Sequence, residues 1–63
     1  MTLEEVKRNM NKAVKYKGSA RYELSACILR KNENGFFYQA ELKDTRANSV
    51  IICKLEDVEG VLE

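Results

Sequence analysis

Phe36-Phe37-Tyr38-Gln39-Ala40-Glu41-Leu42-Lys43 holds three of the chain's five aromatics at one end and a strict apolar/polar alternation at the other. That pattern is a β-strand. It lies between two other β-prone segments, Arg21–Lys31 and Ser49–Leu55, so it can pair on both sides. The turn signals around it complete the frame. Asn32-Glu33-Asn34-Gly35 precedes it and the polar loop Asp44-Thr45-Arg46-Ala47-Asn48 follows it. Further upstream, Val14-Lys15-Tyr16-Lys17 is a short strand and Gly18-Ser19-Ala20 its turn.

Register follows from parity, because a slip of one residue turns every side chain to the other face. If Gly18-Ser19-Ala20 is a three-residue loop, Tyr16 opposes Tyr22 and Val14 opposes Leu24. If Glu33-Asn34-Gly35 is another, closed by Gly35 in the left-handed conformation, Ile28 opposes Ala40 and Ala26 opposes Leu42. Leu42 can then oppose Val50, and Ala40 can oppose Ile52. The expected core face is Val14, Tyr16, Tyr22, Leu24, Ala26, Ile28, Tyr38, Ala40, Leu42, Val50 and Ile52. The opposite face is polar at Lys15, Lys17, Arg21, Glu23, Ser25, Gln39, Glu41 and Lys43. It is apolar at Cys27, Leu29, Phe37, Ile51, Cys53 and Leu55. A one-sided meander has no use for that second apolar group. A helix packs on it, or a tail covers it in a bent barrel, or two chains meet there through Cys27, Leu29, Phe37, Ile51 and Cys53.

The N-terminal segment has helical period. Thr2-Leu3-Glu4-Glu5 has the spacing of a capping box, with its acids in the first turn and Lys7, Arg8 and Lys12 after them. Leu3, Val6, Met10 and Ala13 form one apolar stripe, and so short a helix must pack on something. The expected fold is α+β and mostly β: a helix over 1–13, an antiparallel meander over 14–55 in four to five strands, and an acidic tail over 56–63. The tail forms a single helical turn followed by a short last strand, or it frays. A helix followed by about five strongly bent strands is the layout of the SH3-like and Sm-like small barrels.

At 63 residues this is one small domain. A chain of that size buries only about 60% of the surface its unfolded form exposes. With no histidine and two cysteines, neither a Cys/His zinc site nor histidine-based catalysis is available, and no metal or cofactor is expected. Cys27 and Cys53 lie in aliphatic runs, where a free thiol behaves as a small apolar residue. The longest uncharged apolar run is a few residues, against the ~20 of a membrane span. The acidic start, Met1-Thr2-Leu3-Glu4-Glu5, lacks the basic region of a signal peptide, so the expected location is the cytoplasm.

The net charge of +1 conceals a polarity. Residues 6–32 carry eight basic side chains and one acidic, and residues 33–63 three basic and seven acidic. Such a chain can present a positive face to an anionic partner. Arg30, Lys31, Tyr38, Gln39, Arg46, Asn48 and Ser49 are the candidate ligand-binding residues. Guanidinium forks, amides, a hydroxyl and an aromatic face are the groups that hold a phosphate and stack a base. Lys15, Lys17 and Arg21 form a second basic patch. The paired acids Glu4/Glu5 and Glu56/Asp57 are a helix start and a solvated tail, and no serine or cysteine sits in a catalytic motif. No enzymatic activity is expected.

Tyr16-Lys17-Gly18, Tyr22-Glu23-Leu24, Phe37-Tyr38-Gln39-Ala40-Glu41-Leu42, Asn48-Ser49-Val50 and Leu55-Glu56-Asp57-Val58 together resemble a group of small uncharacterised proteins of phages and prophages of Gram-positive bacteria. The resemblance spans nearly the whole chain and brings no catalytic motif. It implies an accessory, counter-defence role in the host cytoplasm, by binding a host protein or sequestering a nucleotide signal in a homo-oligomer. The alternative expectation is an SH3/Sm-like module that binds nucleic acid or a host protein.

Overall fold

The computed structural model describes residues 1–61 and contains one helix and one five-stranded antiparallel sheet. Helix α1 (Leu3–Asn9) is followed by β1 (Ala13–Tyr16), β2 (Ala20–Asn32), β3 (Gly35–Asp44) and β4 (Ser49–Lys54). A 3-10 turn (Leu55–Asp57) then leads into β5 (Val58–Gly60). The strand order is β4-β3-β2-β1-β5. The expected helical turn and short last strand are both present, and β5 lies against β1 with Tyr16 opposite Val58. The last two positions of the acidic tail, Leu62 and Glu63, lie outside the described residues.

The helix begins as its capping box dictates. The Glu5 amide donates to the Thr2 hydroxyl at 3.2 Å, and the Thr2 amide donates back to Glu5 Oε1 at 3.0 Å. It ends earlier than the stripe predicts. Asn11 adopts φ 64°, a region asparagine tolerates. Its amide donates to the Leu24 carbonyl at 2.7 Å, while Lys12 accepts from the Leu24 amide at 3.0 Å. Pairing with β2 has replaced the helix, so Ala13 opens β1. Val6 is the helix's buried anchor, with Met10 packed beside it.

Register departs from expectation at each of the three turns. Between β1 and β2 the loop is Lys17-Gly18-Ser19, with Lys17 and Gly18 at φ 51° and 77°. Tyr16 therefore opposes Ala20 and Val14 opposes Tyr22, a shift of two that leaves parity intact. Between β2 and β3 the loop is the two residues Glu33 and Asn34, closed by an Asn34 amide bond to Asn32 Oδ1 at 2.8 Å. That pairs Cys27 with Ala40 and Leu29 with Tyr38, odd with even. A bulge at Ser25 then restores Leu24 opposite Leu42. The loop from β3 to β4 holds four residues, with Asp44 Oδ1 accepting from the Arg46 and Ala47 amides. It pairs Leu42 with Ile51 and Ala40 with Cys53.

The core is consequently Val6, Val14, Leu24, Ala40, Leu42, Cys53 and Val58. Met1, Met10, Tyr16, Tyr22, Cys27, Ile51 and Leu55 pack against it. Four expected core residues turn away. Ala26 and Ile28 lie past the bulge on the opposite face, and Val50 and Ile52 alternate outward, 55% and 44% exposed. Three of the expected interface residues lie in or against the core. Cys53 is buried, and Cys27 and Ile51 pack on the core, because α1, the 3-10 turn and β5 cover that side. Cys27 and Cys53 both flank Ala40 from neighbouring strands. Two strand spacings, about 9.5 Å, separate their backbones, too far for a disulfide. Both thiols are free.

The sheet is open, not closed into a barrel. β4 and β5 stand at opposite edges. Strands β2 and β3 outrun their neighbours: β1 reaches only Glu23, and β4 only Gln39. Their far end, Ile28–Tyr38, projects as a two-stranded ribbon.

Candidate functional site

The seven candidate binding residues fall into three places. Arg30 and Gln39 lie on the sheet face away from the core, with Phe37 opposite Arg30. Lys31 and Tyr38 lie on the core-side face of the ribbon, Lys31 opposite Phe36 with its ammonium 5.6 Å from the ring centre. Arg46 and Asn48 belong to the β3–β4 turn, and Ser49 opens β4 beside it, at the other end of β3. Phe37 and Asp44 are seven residues apart on one strand, a separation of about 23 Å. The structure therefore does not gather these residues into one pocket. Asn48, at φ 52°, serves the turn.

What it gathers is a different set. A depression of about 540 Å³ lies where β3 leaves the sheet, between the start of β2 and the β3–β4 turn. Arg21 and Arg46 line it from separate segments. Ser19, Tyr22, Thr45 and Asn11 add hydroxyl and amide groups, and Ala13 adds apolar surface. The register brings them together. Glu23 opposes Lys43, so the chain just beyond sets Arg21 level with Thr45. Arg46 was visible in the sequence as a candidate, and Arg21 as part of the other basic patch. Their meeting was not, because it depends on how the β2–β3 ladder is registered.

Two carboxylates, Asp44 and Glu23, also line the depression. Asp44 accepts the Arg46 and Ala47 amides at 2.9 and 3.3 Å, which fixes the loop that carries Arg46. Glu23 sits across from Lys43. The Tyr22 ring is steadied by Tyr16, edge to face at 6.0 Å and 85°. In the other basic patch the register sets Lys15 opposite Arg21 on one side and opposite Glu59 on the other, so an acidic residue stands beside the two cations. Folding interleaves the basic and acidic halves of the chain. Comparison with protein-family models, curated proteins and solved structures finds no match to this chain.

Two titratable groups are displaced from their ordinary values. The Thr2 backbone N–H, helped by its hydroxyl, holds the Glu5 carboxyl below the usual carboxylate range. Burial, with Asp57 nearby, pushes the Cys53 thiol up, so it stays neutral and unreactive. A second depression of about 440 Å³, between α1 and β5, is lined by Met1 and Arg8 with Glu5 and Glu59. Among the described residues, no helix is long and apolar enough to cross a membrane.

Proposed function

We propose that the protein is a non-enzymatic binder of a small phosphate-bearing ligand, seated between Arg21 and Arg46. The observation that carries this reading is that Arg21 and Arg46 line one depression of small-ligand size together with the hydroxyl residues Ser19, Tyr22 and Thr45, where Asp44 is already engaged by its own turn. Arginine forks match phosphate oxygens bidentately, and the Tyr22 ring is the nearest aromatic surface for a base. Within the phage-type resemblance, such a protein would act by sequestering a nucleotide signal in the host cytoplasm.

Calorimetry against linear and cyclic nucleotides tests it. Binding is expected, weakened about tenfold or more by Arg46→Ala and by Arg21→Ala, the worth of one charge-assisted pair. Absence of binding at high micromolar ligand, or binding indifferent to both substitutions, rejects it.

The ribbon favours a second reading, an SH3/Sm-like module that binds nucleic acid. Phe36 is 69% exposed beneath Lys31, and Leu29 is 55% exposed beside Tyr38. A helix followed by five antiparallel strands supports that layout. Single-stranded oligonucleotides should then bind with an affinity that falls steeply with salt. Salt-independent recovery of a protein from host lysate would instead favour the host-protein version.

A further inference from the structure

We infer that β4 is a subunit interface: two copies of the chain join edge to edge, β4 against β4, about a twofold axis at Ile52.

Among the described residues four stretches of strand edge are unpaired, and they are guarded unequally. The flank of β3 beyond β4, Gly35–Tyr38, is short and lies on the projecting ribbon beside Arg30 and Lys31. β5 is three residues long and carries Glu59. The outer flank of β2 beyond the bulge carries Arg30 and Lys31 on a projecting ribbon. Short length and charge are the usual defences of a sheet edge. β4 has neither over most of its length. Ser49-Val50-Ile51-Ile52-Cys53 contains no charge and three β-branched aliphatic residues in a row, and Lys54 comes only at its end. Among the described residues, no strand pairs with its outer side.

The direction of its backbone groups follows from the hairpin. A two-residue turn makes Asn32 and Gly35 a hydrogen-bonded pair. Alternation along β3 then points its odd residues at β2 and its even residues at β4. Ala40–Cys53, Leu42–Ile51 and Asp44–Ser49 become the bonded pairs on that side. Val50, Ile52 and Lys54 therefore turn their amides and carbonyls outward.

That outward row is complementary to itself. Three residues have a middle one, so an antiparallel pair centred on Ile52 sets Ile52 against Ile52 of the second copy. Val50 then faces Lys54 of the second copy, and Lys54 faces its Val50. All three outward residues exchange their backbone hydrogen bonds, and no like charges stand opposite one another. On the core side the same register sets Ile51 against Cys53 of the second copy. The two exposed side chains Val50 and Ile52 gain apolar neighbours from their own copies across the axis. They also extend the sheet face on which Ile28 and Phe37 are half-buried, giving one ten-stranded sheet. Such an isologous contact closes on itself and ends at two chains.

Sedimentation velocity and light scattering from low micromolar to sub-millimolar protein, without ligand, test the inference independently of the nucleotide reading. The wild-type chain should reach twice its 7.3 kDa mass. Ile52→Lys, at a half-exposed site, should give a folded monomer by circular dichroism. Leu29→Lys, on the ribbon, should leave the dimer intact. Ile52→Cys should form a reducible crosslink between two copies, because backbones in a bonded antiparallel pair lie about 5.5 Å apart, within disulfide range. A monomer throughout the concentration range overturns the inference. So does a dimer that survives Ile52→Lys but is lost with Leu29→Lys. A species larger than two chains overturns it as well, because it would set β4 against the β5 edge of the next copy.

Discussion

Strands β2 and β3 share one long ladder whose two ends behave as different materials. At one end Leu24, Ala40 and Leu42 are fully buried beneath α1, the 3-10 turn and β5. At the other, Leu29, Phe36 and Tyr38 occupy the same face of the same two strands and remain largely exposed. The side chains are comparable in size and apolarity. What differs is the layer above them. Alternation says which way a side chain points, and only a covering element makes that direction an interior. The bulge at Ser25 lies between the two regimes.

The sharpest test of this contrast is truncation at either end. Leu24→Ala should cost about 2–5 kcal/mol in urea unfolding, as expected for a fully buried leucine. Leu29→Ala should change stability by less than about 0.5 kcal/mol. Equal losses would mean that the ribbon is covered in solution, and would break the contrast.

Loosening the junction should matter less. The Ser25 hydroxyl is placed to donate its one proton to either the Glu41 carbonyl at 3.0 Å or Glu41 Oε2 at 2.9 Å. Ser25→Ala should cost about 1 kcal/mol, the net worth of such a bond. Amide exchange should quicken first in the ribbon, leaving β1 and β5 less affected.

Loss of the helix cap tests the covering layer itself. Thr2→Ala should cost about 1 kcal/mol and should lower protection around Val6 and Leu24. It also has a pH signature. A carboxyl whose folded value lies below its unfolded one adds stability above the unfolded value, and that stability is lost as pH falls through the folded value. Acid unfolding of the wild type should therefore contain a Glu5 component that Glu5→Gln removes and that Thr2→Ala, which keeps the backbone N–H, only reduces.

The smallest effect in energy is chemical. Cys27 is half-buried and Cys53 is buried with its thiol held neutral, so a thiol reagent should label Cys27 first. Comparable rates would show that the covered end opens as readily as the ribbon.

Much of the fold could be read from the chain in order. Thr2 and Glu5 announce a helix start because both partners of the capping box are local. The alternation from Gln39 to Lys43 announces a strand, while the tail from Glu56 was open between fraying and a helical turn with a short last strand, and only pairing with β1 selects the second. Faces were harder to read. Ile28 and Cys27 are equally apolar neighbours, and so are Ile52 and Cys53. Either member of each pair could point inward, and local propensity does not separate them. The candidate site inherited that ambiguity. Arg30 and Arg46 were each plausible anion ligands, yet a strand's length divides them, while Arg21 meets Arg46 from across the sheet.

Sequence alone determined the elements and their order, since capping, alternation and turn chemistry act within a few residues. Tertiary structure alone decided which side of each strand is the inside. Parity is a matter of counting. The bulge at Ser25, the two-residue Glu33-Asn34 turn and the four-residue turn after Asp44 each change the count by one against the nearest alternative. Asn34-Gly35 is compatible with either loop length. The choice goes to the register that lets Leu24, Ala40, Leu42 and Cys53 meet Val6 and Val58. It leaves Val50 and Ile52 on an open edge, and that energy balance is settled only when all the layers are in place.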